Sequence, residues 1–260
     1  MKSKLIFTLG ALFLFLIYGQ ESFAQKKDKK KKGEKEERIN PKFSYSPESR
    51  ESVASTGITI ALLNPVFSNR DLRGASPWSD FAKAMASDIE ELLVSKGFKV
   101  KGPYSSIDDM VVSDKTNSDF ILRISIDLEP NLQRKLKQLY VLNLGGPSTY
   151  QYLVTQGDGS ISGKVQLTAL SCFSSEKLWK KDLDINEKKF SYSGSIKWPT
   201  STINPYAELQ QDVNLWNPVC KMMEEVYKEA FDIFYKQFAK EEMAPVAEES
   251  RKTDKDKRGN

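Results

Sequence analysis

Histidine is absent from all 260 residues, and this absence removes much of enzyme chemistry. Histidine is the most frequent general base near neutral pH and the most frequent ligand of transition metals. Without it, serine–histidine and cysteine–histidine catalysis are excluded. No pair of carboxylates stands out for acid–base work. We therefore predict no enzymatic activity, no metal site and no cofactor, with a hydrolase or transferase as the least favoured alternative.

The chain also lacks an excess of one charge where a folded core is predicted. The net charge of +4 arises near the amino terminus, because residues 1–24 contribute +1 and residues 25–38 contribute +4. The tail from Lys240 is balanced, which leaves −1 for residues 39–239. Proteins that bind nucleic acids present a basic face to the phosphates. We therefore predict no nucleic-acid partner.

Long apolar runs are missing after the first residues. Two lysines precede the apolar segment Leu5–Tyr18, and Ser22–Ala24 has the small-x-small pattern of a cleavage site. These features predict a secretory signal over residues 1–24, cleaved between Ala24 and Gln25. The apolar segment has 14 residues, whereas a membrane-spanning helix needs about 20, so an uncleaved anchor is the less favoured alternative. The predicted location is periplasmic or outer-membrane-associated, without a transmembrane span in the mature chain.

Residues 25–55 are predicted to form a disordered polar linker. The first part, 25–38, holds eight basic and four acidic side chains and cannot bury enough apolar surface to fold. One interpretation is a solvated spacer. The other is an arm, residues 26–38, that contacts anionic lipid headgroups or cell wall.

A strand–helix–strand unit over Thr56–Lys101 is predicted to organise the fold. Ile58, Ile60 and Leu62 alternate with smaller or polar residues, as in a buried strand. Ser76 and Pro77 are predicted to be the N-cap and the first helical residue. The helix carries one apolar stripe and ends at Gly97, after which a second strand follows. Such a crossover joins parallel strands. The stripe comprises Phe81, Met85, Ile89, Leu92 and Leu93.

The middle of the chain is predicted to add the strands of an antiparallel meander. Ser118–Leu128 alternates apolar and polar residues, and Glu129–Leu144 is either an extended strand or partly helical. Gly157–Gly159 predicts the turn of an antiparallel hairpin, whose second arm reaches Phe173. Leu178–Ile185 returns as the next strand.

The carboxyl-terminal part predicts one more helix. Asn217 and Pro218 are expected to begin it, and its apolar stripe continues to about Ala239. Residues 240–260 are expected to form a disordered charged tail. The predicted fold is therefore α+β over residues 56–239, with a single mixed sheet of about five strands. Two main helices pack on one face, in the order β-α-β-β-β-β-α.

Cys172 and Cys220 are the only cysteines, and neither belongs to a Cys-x-x-Cys motif. Thiol redox catalysis is therefore not indicated. Because an exported protein is exposed to oxidising conditions, the two residues form either a disulfide or two free buried thiols. The sequence does not give the distance that decides between these alternatives.

Two stretches are candidates for ligand binding. Arg134, Lys135 and Lys137 form a small basic cluster, and the stretch from Phe190 to Leu215 is rich in serine, proline and aromatic residues, including Tyr192 and Trp198. Aromatic rings in loops stack on sugars, so the second stretch is a candidate for glycan binding. The alternative for the second stretch is a loop held down by its own rings.

The order of the pieces resembles the neuraminyllactose-binding haemagglutinin (HpaA-like) envelope proteins. It also resembles a broader group of periplasmic domains, which includes TolB N-terminal domains and curli-secretion lipoproteins. The resemblance covers roughly residues 57–238. It rests on three patterns: Gly97-Phe98-x-Val100 after the first helix, Asp119-Phe120-Ile121-Leu122 in the third strand, and Ser174-x-x-x-Leu178-Trp179 at a hairpin end.

This resemblance implies a sheet with two helices on one face, in a binding protein of the cell envelope. It implies adhesion to sialylated glycans through a basic stretch after the third strand, where Arg134, Lys135 and Lys137 stand here. The family proteins are lipoproteins, whereas no cysteine lies near Ala24, so lipid attachment is not predicted. The expected function is an envelope binding or assembly protein whose partner is an envelope protein, a glycan or an anionic surface, with sialylated-glycan adhesion as the alternative.

Overall fold

The computed structural model describes residues 37–46, 54–140, 151–197 and 212–258. The fold is that of the unit formed by residues 38–260. The predicted signal segment and its cleavage site at Ala24–Gln25 lie outside the described residues. Within those residues, no helix is both long and apolar enough to cross a membrane.

A parallel strand–helix–strand unit lies at the centre of the fold, as predicted. β1 (Thr59–Leu63) leads through α1 (Trp78–Ser95) to β3 (Lys99–Tyr104). β1 and β3 pair in parallel, with Ile60 opposite Val100. The predicted apolar stripe of the helix is buried, because its five side chains are each at most 1% exposed: Phe81, Met85, Ile89, Leu92 and Leu93.

The start of α1 differs by one residue from the prediction. Pro77 is the N-cap, so the helix begins at Trp78 and Ser76 lies outside it. The Ser76 hydroxyl does not cap a backbone amide but donates a hydrogen bond to Asp80 Oδ2 at 2.5 Å. The serine therefore holds the first-turn carboxylate, which itself suits the positive end of the helix dipole.

The remaining strands extend the sheet on one side. They are β2 (Val66–Phe67), β4 (Phe120–Tyr140), β5 (Gln151–Leu170) and β6 (Lys177–Lys197). The strand order is β3-β1-β4-β5-β6, with β2 beside β4. β4 is parallel to β1 and β2, whereas β4, β5 and β6 form an antiparallel meander. The predicted mixed sheet and the order β-α-β-β-β-β-α are therefore confirmed, and the fold is α+β.

The three strands of the meander are longer than predicted, at 20 or 21 residues each. The stretch Glu129–Leu144 continues as strand up to Tyr140, so the extended alternative is correct for that part. Gly157–Gly159, predicted as a turn, lies inside β5 and pairs with both neighbouring strands. The predicted loop from Phe190 is strand as far as Lys197, and residues 198–211 lie outside the described part.

Packing explains why glycine stands in the middle of β5. A Cβ atom at Gly159 would overlap the ring of Phe190, its partner on β6. Phe190 is 8% exposed, so its ring fills the space above the glycine as part of the core. Glycine inside a strand often marks such a close approach. The glycine at residue 159, which predicts a turn by composition, is therefore required by the packing of the Phe190 ring.

The core lies between the sheet and a layer of two helices, α1 and α3 (Val213–Gln237). The sheet side covered by these helices is termed the helix-covered face. Alternate β4 residues point into it, from Phe120 to Leu128, and all are at most 1% exposed. Aromatic rings join the layers, for example Phe81 and Tyr227 with centroids 5.1 Å apart. The predicted arrangement of two main helices on one face is confirmed.

The start of α3 is earlier than predicted. Asp212 is the N-cap, and its carboxylate accepts a hydrogen bond from the Asn214 amide at 3.0 Å. Pro218 consequently lies inside the helix rather than at its first position. The Asp212 carboxylate thus satisfies one of the free first-turn amides, while the side chain of Asn217, the expected cap, accepts a hydrogen bond from the Ile39 amide instead.

The predicted disordered tail is instead helical. α4 (Lys240–Arg258) follows α3, and Met243, Val246 and Ala247 join the main core. Their i, i+3, i+4 spacing gives a narrow apolar stripe on an otherwise charged helix. Residues 240–258 thus belong to the folded body, which corrects the predicted boundary at residue 239.

A small second core lies on the opposite side of the sheet from α1 and α3. It combines residues of β1, β4 and β5 with Met110, which precedes α2 (Val112–Thr116). Asp114 of α2 accepts hydrogen bonds from Lys101 Nζ at 2.8 Å and from the Tyr104 hydroxyl at 2.5 Å. Both bonds hold the pKa of Asp114 below its ordinary value. Burial and the bond to Asp114 raise the pKa of Tyr104 to about 12.

Residues 38–46, termed the strap, pack against the helices, whereas the sequence predicts that they belong to a disordered linker. Ile39, Phe43 and Tyr45 are partly buried against the main core. This corrects the linker prediction for the strap. Residues 25–36 and 47–53 of that predicted linker lie outside the described part of the chain.

Candidate binding site

Strand alternation places polar side chains on the side of the meander that faces away from α1 and α3. This surface is termed the polar face. From Arg123 to Asn131 every second residue of β4 is charged, amide or hydroxyl, and so are the residues beside them on β5 and β6. Its members are Arg123, Ser125, Asp127, Glu129 and Asn131 on β4; Asp158, Ser160, Ser162, Lys164, Gln166 and Thr168 on β5; and Lys180, Asp182, Asp184, Lys189 and Ser191 on β6.

Charges on the polar face compensate one another across the strands. Asp182 accepts a hydrogen bond from Gln166 Nε2 at 2.9 Å, and its Oδ2 lies 3.4 Å from Lys180 Nζ and 3.7 Å from Lys164 Nζ. The bond from Gln166 and the two lysines hold the pKa of Asp182 below its ordinary value. The polar face therefore presents paired donors and acceptors rather than a field of one sign.

A cleft of about 470 Å³ opens on the polar face, farther along the three strands. Asn131, Ser160 and Lys189 form one cross-strand row, and Asp158 and Ser191 belong to the next. The Ser191 hydroxyl donates to Asp158 Oδ1 at 2.8 Å. Gly159, Glu187 and Phe190 complete the lining.

A β-bulge brings Glu187 to this cleft. Ile161 pairs with Lys188 and Gly163 with Ile185, so β6 has one residue more than β5 in this interval. A bulge shifts the alternation of side chains. Lys188 therefore reaches α3, where its Nζ lies 2.8 Å from Glu229 Oε2, while Glu187 lines the cleft.

Glu187 is held as a carboxylate. Its Oε2 lies 3.1 Å from Lys189 Nζ, and hydrogen bonds from Lys189 and then Ser160 hold the pKa of Glu187 below its ordinary value. The cleft thus combines two carboxylates, an ammonium group, two hydroxyls and an amide. Such a set can donate to and accept from neighbouring hydroxyl groups of a polar ligand.

The predicted glycan-binding residues divide between described and undescribed positions. The backbone of Arg134 is opposite Gly157, that of Lys135 opposite Gln156, and that of Lys137 opposite Val154. The side chains of these three residues, and Trp198 altogether, lie outside the described part of the chain.

Tyr192 is placed differently from the prediction. It lies in β6, is 5% exposed, and its ring packs 6.3 Å from that of Phe190 in the main core. A buried ring has no free face on which a sugar can stack, so this placement corrects the expected role of Tyr192. The burial follows from strand alternation, because Tyr192 points to the same side as Phe190. The prediction of a loop over Phe190–Leu215 did not include this alternation.

Most cleft residues were not among the sequence candidates. The sequence predicts a turn at Asp158 and Gly159, and the other polar residues of the cleft carry no motif: Ser160, Glu187, Lys189 and Ser191. They meet only through strand register and the bulge. The alternation of polar residues along β6 is the one local signal that pointed to this surface.

Cys172 and Cys220 are buried thiols that form no disulfide, which is the second of the two predicted alternatives. Cys172 belongs to the small second core, whereas Cys220, a residue of α3, belongs to the main core. Burial raises the pKa of the Cys220 thiol to about 12. The sheet separates the two clusters, so no disulfide joins these residues here.

Within the described residues, no group of three or more cysteine, aspartate or glutamate side chains is placed to hold a metal ion. The carboxylates of the cleft, Asp158 and Glu187, are each engaged by a neighbouring hydroxyl or ammonium group. Hydrogen bonding to a polar ligand is therefore the chemistry that this arrangement can offer.

The fold resembles that of a solved Helicobacter pylori protein described as a neuraminyllactose-binding hemagglutinin homolog. The TM-score is 0.50 at 12% identity, and the match covers 80% of this chain and 98% of the other. At this identity the likeness shows the fold alone, and it confirms the fold part of the resemblance drawn from the sequence. No family profile matches the chain, and no curated protein matches it.

Two further solved structures are more distantly similar. Protein XCC0632 from Xanthomonas campestris matches with a TM-score of 0.31 and 9% identity, over 76% of this chain and 94% of that one. Lipoprotein GNA1162 from Neisseria meningitidis matches with a TM-score of 0.22 and 13% identity, over 63% and 99%. At such scores these two structures carry no argument.

Proposed function

We propose that this chain is an exported cell-envelope protein that binds a polar partner on its polar face without transforming it. The observation that carries this proposal is the cleft on β4, β5 and β6. Polar side chains from three strands converge there and are held in place by bonds to each other, as between Ser191 and Asp158. Side chains that are already oriented lose less entropy when a ligand binds.

The binding experiment compares two pairs of substitutions on the same face. Asp158→Ala with Lys189→Ala removes the cleft's charges, and Asp182→Ala with Lys180→Ala removes a matched pair outside the cleft. Purified proteins are titrated with peptidoglycan fragments, lipopolysaccharide and solubilised outer-membrane proteins. We expect at least tenfold weaker binding of one component for the cleft pair and little change for the control pair. Equal effects, or turnover of any component, would contradict the proposal.

Export is the second part of the proposal. The charged start, the apolar segment Leu5–Tyr18 and the small residues before Gln25 support a cleaved signal. The basic stretch 26–38 supports a contact with anionic lipid or cell wall, at about 1 kcal/mol per lysine near such a surface. Fractionation of cells into periplasm, inner membrane, outer membrane and medium tests the location. Recovery in the cytoplasm with residues 1–24 intact would contradict it.

Adhesion to sialylated glycans is the second candidate. It is favoured by the fold likeness to the Helicobacter pylori protein and by the basic positions Arg134, Lys135 and Lys137 beyond the cleft. A glycan array with sialylated and unsialylated lactose tests it. We expect the sialylated form alone to bind, and Arg134→Ala with Lys135→Ala to abolish that signal. Binding that ignores sialylation would reject this candidate while leaving the cleft proposal intact.

A further inference from the structure

The strap follows α3 as a fully extended peptide. Its contacts run from Arg38 at Trp216 to Tyr45 at Phe231. Fifteen helical residues rise about 22 Å, and seven residues of extended chain span about 23 Å. Burial alternates along the strap, with Ile39, Pro41, Phe43 and Tyr45 partly buried and the residues between them exposed. The strap therefore lies in the groove between α1 and α3 as an extended segment, and every second side chain of the strap packs into the groove.

Side chains of the groove bind the main chain of the strap. Three acceptors and one donor on α1 and α3 reach backbone groups of the strap, so these bonds do not depend on the strap's own side chains. This division, main-chain bonds for affinity and pockets for specificity, is how proteins recognise extended peptides. The bonds are Ile39 N to Asn217 Oδ1 (3.0 Å), Trp216 Nε1 to Ile39 O (2.7 Å), Lys42 N to Glu224 Oε1 (2.6 Å) and Tyr45 N to Asp88 Oδ2 (2.7 Å).

Two aromatic side chains of the strap fill the groove. The ring of Phe43 lies 5.3 Å from that of Phe81 and 5.5 Å from that of Tyr227. Tyr45 stacks on Phe231 at 4.9 Å. The Arg38 guanidinium covers the Trp216 ring at 3.8 Å. These contacts define the sequence pattern that the groove binds, an arginine followed five and seven residues later by aromatic residues.

Asp88 is oriented before the strap arrives. The Tyr227 hydroxyl donates to Asp88 Oδ2 at 2.7 Å, and the same oxygen accepts from the Tyr45 amide. Burial and the bond to Asp88 raise the pKa of Tyr227, so the hydroxyl stays a donor. The carboxylate that binds the Tyr45 amide is therefore also held by a residue of α3, and this hydrogen bond does not involve the strap.

The number of residues between the strap and the rest of the chain sets how far the strap can reach. The strap ends at Ser46, and the chain is next described at Ala54, whose carbonyl lies close to Gly97. Eight residue steps can span up to about 26 Å, whereas α1 rises only about 13 Å from Asp88 to Gly97. The chain length therefore permits the strap to leave its groove while Ala54 stays in place.

We propose that the α1–α3 groove is a peptide-binding site whose second occupant is the strap of another copy of this chain. The site lies on the other side of the molecule from the cleft, so it stands independently of the proposed function. The tethered strap competes from within the same chain at an effective concentration in the millimolar range. Exchange between copies is therefore expected only where the concentration of the copies approaches that range.

A cross-link between copies tests the exchange. Ser44 and Lys228 line one recess beside the strap, so we would place Ser44→Cys in one copy and Lys228→Cys in another. The native cysteines are buried and are retained. We expect mild oxidation of a concentrated mixture to give a covalent dimer at least fivefold above either variant alone. Ser44→Cys with Lys228→Cys in one chain is the positive control for reach. A bond within that chain but no excess dimer in the mixture would overturn the proposal.

A peptide titration tests the groove itself. The probe is a labelled peptide of residues 38–46, and the control peptide has alanine in place of Phe43 and Tyr45. The receptor is the full chain carrying Phe43→Ala and Tyr45→Ala, with its fold checked by circular dichroism. We expect it to bind the probe at least tenfold more tightly than the unchanged chain does, and to ignore the control peptide. Equal binding of both peptides would overturn the site, and probe binding without cross-linked dimers would overturn the second occupant.

Discussion

The two faces of the sheet are built from the same strands but differ in how far their side chains are exposed. On the helix-covered face, Leu122, Ile126 and Val165 are each 0% exposed. Their chain neighbours Arg123 and Asp127 lie on the polar face and are exposed. Because successive residues of a strand point to opposite sides, one stretch of sequence encodes both surfaces.

The difference between the faces is also one of energy. Burying a large apolar side chain contributes about 1.5–3 kcal/mol to the free energy of unfolding. Ion pairs at the surface, such as Lys180 with Asp182, contribute about 0–1 kcal/mol. Stability is therefore concentrated on the helix-covered face, and the polar face is free to change with little effect on folding. The predictions below test this division, from the largest expected effect to the smallest.

Phe81→Ala should give the largest loss. The side chain is 0% exposed and contacts the rings of Phe43, Phe67 and Tyr227. Removing a buried phenyl ring leaves a cavity, so we expect the free energy of unfolding to fall by about 3–5 kcal/mol. Urea denaturation followed by circular dichroism measures it. The control, Lys83→Ala on the exposed side of α1, should change it by less than about 0.5 kcal/mol.

Gly159→Val should give the next largest loss and tests the close approach of Gly159 to Phe190. The added side chain would collide with the Phe190 ring, and overpacking of this kind costs about 2–3 kcal/mol. Phe190→Ala removes a core ring and costs stability by itself, but in the double variant the total loss should be smaller than the sum of the two single losses, because the collision is gone. A valine at residue 159 without any loss, or losses that simply add, would contradict the close approach of the Phe190 ring.

Local periodicity was enough to predict the part of the fold around β1, α1 and β3. The stripe from Phe81 to Leu93 and the alternation of Ile58, Ile60 and Leu62 each indicate one element without reference to the rest. The pairing of β1 with β3 follows from the helical crossover between them.

The parts that were missed depend on distant contacts. Glycine at residue 159 reads as a turn, and only the Phe190 ring on the next strand reveals that it is a packing site. Residues 240–258 have the composition of a solvated tail, because their apolar stripe consists of only Met243, Val246 and Ala247. Whether such a short stripe packs depends on the rest of the core, which the local sequence does not show. The cleft depends on the bulge at Glu187, which no local pattern shows.

Ser171→Ala should loosen α4 from the end of the sheet. The Ser171 hydroxyl, 0% exposed, donates to Asp254 Oδ1 at 2.5 Å, and Asp254 is 7% exposed. Loss of this donor leaves a buried carboxylate with one partner fewer, which costs about 1–2 kcal/mol. Hydrogen exchange of the α4 amides should increase together with the loss of stability. Lys252→Ala, on the exposed side of the same helix, should affect neither measurement.

Tyr104→Phe should remove part of the alkaline pH dependence of stability. The folded pKa of Tyr104 is raised to about 12 from the ordinary value of 10.0, so its contribution is fully present below pH 10. That contribution is lost as the pH rises through 12, because the unfolded chain ionises first. Since Tyr104 is partly exposed, solvent screening reduces the effect to less than about 1 kcal/mol. Unfolding by urea at pH 9 and pH 11 should show a smaller decrease in the variant than in the unchanged chain, and equal decreases would contradict the assignment.

Asp158→Asn should have the smallest effect on stability and therefore gives the sharpest test of the two-face comparison. Asp158 is exposed and accepts one hydrogen bond, from Ser191, which an asparagine oxygen can accept as well. We expect the free energy of unfolding to change by less than about 0.5 kcal/mol, while the loss of charge weakens ligand binding at the cleft. Measured side by side with Phe81→Ala, the two variants should show opposite patterns. A large decrease in the free energy of unfolding for Asp158→Asn would mean that the polar face also stabilises the fold, which would contradict the division between the two faces.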